Sequence, residues 1–368
     1  MSNPWLKKNP FMSMWLSGAN SVANTARARI GAEMNRQSAS VANKAMSSLA
    51  SLTRASMQSG THAMHQAAKP VLARRKPPVG NGDWLSGMVM GPAGVRRFRL
   101  FRPPGTRFAE RLPLMVMLHG CHQDAKSFAA STRMNVVAAR ERFLVLYPEQ
   151  DRMSNAQGCW NWFDTRSGRA YGESDLILRA IDQVCVLYSA DRARIAVAGM
   201  SAGASMAALL ASRHPGRFKA VAMHSGIPPG TARSSLSAVS AMVGHRSTQP
   251  LPPVLVDSDS AWPPLLVIHG GADSVVASNN AVAAARVWAD AAGATAGAGR
   301  TVRRGRRHSM HVTDFKRRGV TTATLVEIER LAHAWSGGAT HEPYSDGDGP
   351  DASRMVWAFS AKQFARVV

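Results

Sequence analysis

Cysteine is scarce: three in 368 residues, too few for a disulfide-built scaffold and at no spacing that reads as a zinc site. Acid is scarce relative to base. Lys and Arg number 45 against 23 Asp and Glu, for a formal net charge of +22, and Glu33 is the only acid before Asp83. That excess favours adsorption to polyanions and anionic surfaces but says nothing about fold. No apolar run approaches the ~20 residues of a membrane-spanning helix, and no internal repeat is visible. What is present, 45% hydrophobic and 18% charged residues, describes a globular protein with one large core and room for an appendage.

The appendage is expected over residues 1–80. This stretch is rich in Ala, Ser, Met and Asn, with Trp15, Ala19, Val22, Ala26 and Ile30 at helical spacing and the stripe resuming from Val41 to Leu52. It reads as one or two weakly amphipathic basic helices that could touch an anionic surface or granule. Lys7 and Lys8 ahead of Phe11–Leu16 resemble the start of a signal peptide, but the apolar core is short and broken by serines. The lack of a clear signal points to the cytoplasm. Lys69–Pro78 reads as a linker.

From residue 81 to 368 the pattern becomes alternating strand and helix. Apolar runs at Leu114–Leu118, Phe143–Tyr147, Ile195–Ala198, Val221–Ser225, Leu265–Ile268 and Thr324–Ile328 alternate with helical stretches such as Asp175–Leu187, Ala281–Ala292 and Asp351–Phe364. The expected fold is α/β: a mostly parallel central sheet with helices on both faces. Loops after the strand ends should carry the site.

The chain is organised around Gly199-Met200-Ser201-Ala202-Gly203, a G-x-S-x-G between an apolar strand and the helix Ala202–Arg213. A strand-to-helix turn that sharp exposes the serine hydroxyl and aims the first helix amides at whatever it attacks. A glycine-rich structural turn is the bland alternative. A serine nucleophile needs a base, the base an orienting acid, and the tetrahedral intermediate amide donors. Elbow hydrolases supply them in the order Ser, Asp or Glu, His. Asp273 follows the Leu265–Ile268 run in a glycine turn, and His333 follows the last strand among small residues. A capping aspartate and an ordinary loop histidine are the competing readings. Asp257 and Asp259 precede the strand, His341 lies in an acidic turn, His308 and His311 belong to a basic segment, and His224 precedes the acid and breaks the order. The oxyanion donors are assigned to the amides of Ala202 and Cys121, the latter in the turn after Leu114–Leu118; a free catalytic cysteine at 121 is the rival. Gln123 beside that turn, Trp160 and Trp162 in an aromatic loop, and Trp335 are candidate substrate contacts, with core packing the alternative for the tryptophans. No metal or cofactor is expected.

Together, Leu118-His-Gly-Cys-His-Gln123, Cys159-Trp-Asn-Trp-Phe163, the Gly199–Gly203 elbow, His269-Gly-Gly-Ala-Asp273, His333-Ala-Trp-Ser-Gly-Gly338 and Asp351-Ala-Ser-Arg354 resemble the poly(3-hydroxybutyrate) depolymerase family of esterases, related to feruloyl and acetyl-xylan esterases. The resemblance implies an α/β-hydrolase fold and a serine esterase acting on hydroxyalkanoate polymer or oligomer esters, with feruloyl or acetyl carbohydrate esters as the alternative substrates. It also implies a Cys121–Cys159 disulfide, leaving Cys185 as a buried thiol, and thereby an extracellular or periplasmic setting against the cytoplasmic expectation. The basic N-terminal stretch is not part of the family core. From a different class, polyanion or nucleic-acid binding would rest on Arg300, Arg303, Arg304, Arg306, Arg307, Lys316, Arg317 and Arg318. No recognised nucleic-acid module accompanies them, so no specific nucleic acid is expected.

Overall fold

Five strands with almost no polar interruption build the centre of the molecule. The structure, a computed structural model, describes residues 77–107, 110–246 and 262–367. The expectations for the N-terminal stretch, and Asp257 and Asp259, fall outside these residues, save for the last few positions of the linker and extension. A hairpin of β1 (Asp83–Gly91) and β2 (Gly94–Arg102) leads to β3 (Leu112–Leu118), whose seven residues are all buried. Helices α1 (Ala125–Thr132) and α2 (Met134–Glu141) precede β4 (Leu144–Pro148), again buried throughout. Then come α3 (Arg169–Leu187), β5 (Ala190–Met200), α4 (Ala202–Arg213), β6 (Ala220–His224) and α5 (Ser235–Met242). The chain closes through β7 (Leu265–Gly270), α6 (Asn279–Ala292), the short β8 (Thr295–Ala296) and β9 (Arg300–Val302), β10 (Met310–Arg317), β11 (Val320–Ile328), β12 (Trp335–Ser336), β13 (Ser345–Asp346) and α7 (Ala352–Phe364).

The main sheet runs β1-β2-β4-β3-β5-β6-β7-β11-β10-β8, with β9 also on β10. From β4 to β11 every neighbour is parallel; the two margins are antiparallel. Unalternating apolar runs such as Leu114–Leu118 belong to strands covered on both faces. One face holds Met115, Met117, Val145, Tyr147, Ala196 and Ala198 against α1, α2 and α7, in a core that reaches Phe128, Val137 and Val356. Helices α3, α4 and α6 pack on the strands as well, and no residue of theirs belongs to that core; successive strand residues point to opposite faces, so these helices cover the other one. The parallel arrangement brings the carboxyl ends of β3, β4, β5, β6, β7 and β11 to one rim.

The antiparallel margin at β10 is where sequence and structure part. Residues 300–318 were expected as a basic segment between helix and strand; most of them are strand. Met310 and Val312 alternate inward, but a register shift between Phe315 and Lys316 breaks the period, and the exposed positions carry His311, Lys316 and Arg317.

Candidate active site

Strand β5 delivers Ser201 to the rim in a backbone conformation few non-glycine residues adopt, φ 55° and ψ −122°. Such a conformation costs about 1–3 kcal/mol and persists only where neighbours enforce it. Here the Ser201 amide donates to the His224 carbonyl (2.9 Å), and the Ser201 carbonyl accepts from the Ser205 amide (3.1 Å) and hydroxyl (3.3 Å). The two glycines of the motif are steric necessities. A Cβ at Gly199 would strike the Gly203 carbonyl, and one at Gly203 would strike the carbonyls of Leu118 and His119. Strand β5, helix α4 and the end of β3 are thus packed backbone to backbone around the serine. Ala202 opens α4, so its amide has no carbonyl one turn back to bond.

Facing the elbow is the turn after β3. The Gly120 amide donates to Gln123 Oε1 (3.0 Å) and the His122 amide to the Gln157 carbonyl (2.8 Å), which pins the peptide units on either side of the Cys121 amide. A Cys121–Cys159 disulfide, Cα–Cα 4.3 Å, ties this turn to the loop after β4; Cys185 is a free, buried thiol. Beneath the turn His119 is fully buried. Its Nε2 accepts from the Gln150 amide (3.1 Å), which leaves Nδ1 to donate to the Gly120 carbonyl (2.7 Å). Burial lowers its pKa to about 4, so the ring is neutral near pH 7. A buried carboxylate, Glu173, holds the aromatic loop by accepting from the Asn161 amide (2.9 Å), Asn161 Nδ2 (2.6 Å) and Gln150 Nε2 (2.7 Å).

Asp273 lies in the turn after β7 with its side chain out of solvent. Its Oδ1 accepts from the amides of Val275 and Val276, both at 2.9 Å, and its Oδ2 accepts from His333 Nδ1 at 2.8 Å. Burial by itself would raise the carboxyl pKa. The His333 hydrogen bond, the electrostatic interactions with His333 and His269 and the Val276 amide outweigh it and bring the value down to about 2. Asp273 is therefore ionised at neutral pH and selects the His333 tautomer with its proton on Nδ1 and a basic Nε2.

The backbone explains how a histidine beyond β11 comes so far inward. After β11 the chain folds back across the end of β7: the Ala272 amide donates to the Leu331 carbonyl (3.0 Å), and only a glycine at 270 lets Leu331 and Ala332 pass. Three residues past His333, the Ser336 amide donates to His224 Nε2 (3.2 Å) at the end of β6, the strand beside β5. His333 lies in the chain between these two anchors, which tie its loop to the ends of β7 and β6. The hydrogen bonds of the structure join His333 to Asp273 and include none from His333 to Ser201 Oγ; in unliganded hydrolases that contact is commonly long.

The candidate substrate contacts are largely buried. Trp160 and Trp335 have no exposed surface. Trp160 donates through Nε1 to the His119 carbonyl (3.1 Å) with its ring 5.5 Å from the His119 ring, and Trp335 donates to Ser353 Oγ (3.1 Å) while stacking on His224. Each indole thus has an internal acceptor and no exposed surface, which matches the core-packing alternative for these two residues. Trp162 and Gln123 are nearly buried, 6% and 8% exposed, and the Gln123 carbonyl oxygen is committed to the Gly120 amide. Among the rival residues, His308 sits 3.5 Å from Asp346, His311 and His341 are exposed, and His224 is buried. In the basic segment Arg300 pairs with Asp314 (2.7 Å) and Arg307 donates to the carbonyls of Gly347 and Gly349, while Arg303, Arg304 and Arg306 are exposed. Sequence reasoning missed the supporting roles of His269, Gln150 and Glu173; the His-Gly-Gly-Ala-Asp spacing that found Asp273 contained His269, whose Nε2 donates to the Val276 carbonyl (2.9 Å) on the loop that holds the acid.

The chain is similar to known proteins in sequence and in fold. The sequence model of the family "Esterase PHB depolymerase" matches residues 96–308. Poly(3-hydroxyalkanoate) depolymerase C of Paucimonas lemoignei is 29% identical over 198 residues, covering 50% of this chain and 45% of the depolymerase, so the match spans less than half of that protein. Feruloyl esterase B of Neurospora crassa is 26% identical over 212 residues, covering 53% of this chain and 70% of its own length. Among solved structures, an acetyl xylan esterase from Aspergillus awamori superposes with a TM-score of 0.57 at 18% identity, covering 67% of this chain and 93% of that one, which supports the fold. The chain belongs to the PHB depolymerase esterase family: an α/β-hydrolase and a carboxylic ester hydrolase.

Proposed function

We propose that Ser201, Asp273 and His333 act as one catalytic triad and that the substrates are 3-hydroxyalkanoate esters, as polymer or oligomer. The observation that carries the reading is the 2.8 Å Asp273–His333 hydrogen bond, in loops that follow parallel strands of the same sheet as a serine in an enforced elbow conformation. Ser201 Oγ attacks the ester carbonyl as His333 Nε2 takes its proton. The tetrahedral oxyanion receives the amides of Ala202 and Cys121. Collapse expels the alcohol, protonated by His333, and leaves an acyl-Ser201 that water cleaves by the same route in reverse. Asp273 stays ionised throughout and stabilises the imidazolium. The disulfide supports an oxidising compartment, since such bonds rarely persist in a reducing cytosol. Contact of residues 1–80 with an anionic surface, as an extension separate from the catalytic part at 81–368, remains part of this reading.

A second reading, esters of carbohydrates, is favoured by coverage. The match extends over 70% of the feruloyl esterase and 74% of acetylxylan esterase A of Emericella nidulans, against 45% of the depolymerase. The test is a panel of hydroxybutyrate oligomers, amorphous polymer granules, methyl ferulate, acetylated xylan and p-nitrophenyl acetate, run with S201A as control. Highest kcat/KM on the hydroxybutyrate oligomers is expected. Feruloyl or acetyl-xylan esters turning over tenfold faster than the oligomers would replace the first reading with the second. Undiminished turnover by S201A would remove the triad.

A further inference from the structure

His224 is excluded from the triad by chain order, and nothing in the proposed reaction touches it. Its position is nonetheless singular. Its backbone carbonyl accepts from the Ser201 amide (2.9 Å), and its ring Nε2 accepts from the Ser336 amide (3.2 Å). The imidazole also stacks on Trp335, ring centroids 5.0 Å apart and planes 24° from parallel. Trp335 and Ser336 are the second and third residues after His333. One residue therefore holds the nucleophile turn with its main chain and the base-bearing loop with its side chain. We infer that His224 is the positioning residue that sets His333 relative to Ser201. The inference rests on the triad reading above.

The ring suits the task. Accepting a hydrogen bond at Nε2 requires a neutral imidazole with its proton on Nδ1, and the residue is 1% exposed. Burial, reinforced by the neighbouring His269 and His333, lowers its pKa to about 3, so the acceptor is kept through the neutral range. Nδ1 itself has no hydrogen-bond partner among the described residues. A buried polar atom left unpaired is costly; an apolar side chain would avoid that cost but would provide no acceptor for Ser336. A neutral, flat side chain with an acceptor at the far end is what the loop requires.

The test uses three variants of the full chain. H224F keeps the flat ring over Trp335 and removes the acceptor. H224Q places an amide oxygen near the Nε2 position, and H224N is one methylene too short to reach Ser336. If the inference holds, H224F and H224N lose about 10–100-fold in kcat on a p-nitrophenyl ester, the order expected for a base misplaced by about 1 Å. KM stays within about twofold, and H224Q recovers kcat to within about threefold of wild type. The rate at which an organophosphonate labels Ser201 falls in parallel with kcat. Should H224F fail to fold, the two amides decide. Equal kcat in H224Q and H224N, or a loss expressed in KM alone, overturns the inference. S201A is run alongside: if it stays active, the triad has failed, whatever His224 does.

Discussion

Acid should unfold this protein earlier than its carboxylates would dictate, because it buries neutral histidines. His119 and His224 are each 1% exposed, with pKa values lowered by burial to about 4 and about 3. His269, fully buried, is lowered as well. In the unfolded chain each titrates near 6.5. As pH falls below that value the unfolded state binds protons that the folded state refuses, so stability drops until the folded pKa values are reached. Integrating the proton difference from pH 6.5 to pH 5 gives a loss of about 1.6 kcal/mol per histidine, or about 3 kcal/mol for His119 and His224 together. That is a large share of the 5–15 kcal/mol typical of a folded domain. Asp273 does not offset it. Its carboxyl is depressed to about 2, so its contribution is complete above the unfolded value near 4 and is lost only as pH falls toward 2. Urea titrations of the disulfide-intact protein at pH 7.5, 6.5, 5.5 and 5.0 measure the slope. Replacing His224 by Gln should remove about one proton from it. A free energy of unfolding that stays level between pH 7 and pH 5 would refute the argument and place these rings in contact with water.

Ser201→Ala and His333→Ala should each cut kcat on a p-nitrophenyl ester by several orders of magnitude with an unchanged circular-dichroism spectrum, since removing either member disables the unit. Asp273→Asn should cost about 10⁴-fold through the wrong His333 tautomer; near-wild-type turnover in it would detach the 2.8 Å hydrogen bond from catalysis. Replacing Cys121 and Cys159 by Ser should lower stability by up to ~4 kcal/mol on the chain-entropy account of a closed loop of this length, read from urea midpoints. Mass spectrometry of non-reduced peptides checks the bond itself.

Ser201, Asp273 and His333 were legible because a parallel sheet converts chain order into place: three loops that each follow a strand must share one rim. The buried strands were legible for a related reason, since runs such as Leu114–Leu118 admit few other structures. Strand β10 was hidden because its register shift breaks the two-residue period and its outward residues are basic. Helix α1 was hidden by its brevity and its Ala and Ser content. The supports of the site, Gln150 on His119, Asn161 on Glu173 and Ser336 on His224, join residues 31, 12 and 112 positions apart. No local pattern encodes such a pairing, so these roles emerge only from the fold.

The tryptophans mark this limit most clearly, and one of them offers a decisive perturbation. Sequence could say that Trp160 stands in a loop beside the site; it could not say which way the ring faces. In the structure the ring lies inward, 5.5 Å from the His119 ring and 5.6 Å from the Arg96 guanidinium carbon, with Nε1 on the His119 carbonyl. His119 in turn holds the Gly120 carbonyl next to the Cys121 amide. Removing the indole should therefore act on the oxyanion turn from below. Trp160→Ala should destabilise the protein by about 3–5 kcal/mol, the usual cost of truncating a buried large aromatic. It should also lower kcat by a similar factor on p-nitrophenyl acetate and on a hydroxybutyrate oligomer, because a loosened turn stabilises every tetrahedral intermediate less well. A wall residue would behave differently: stability would hold, kcat on the acetate would survive, and KM would rise on the oligomer alone. Urea midpoints together with kcat and KM on the two substrates separate these outcomes. The wall pattern in Trp160→Ala would mean that the indole faces substrate and that the oxyanion turn stands without it.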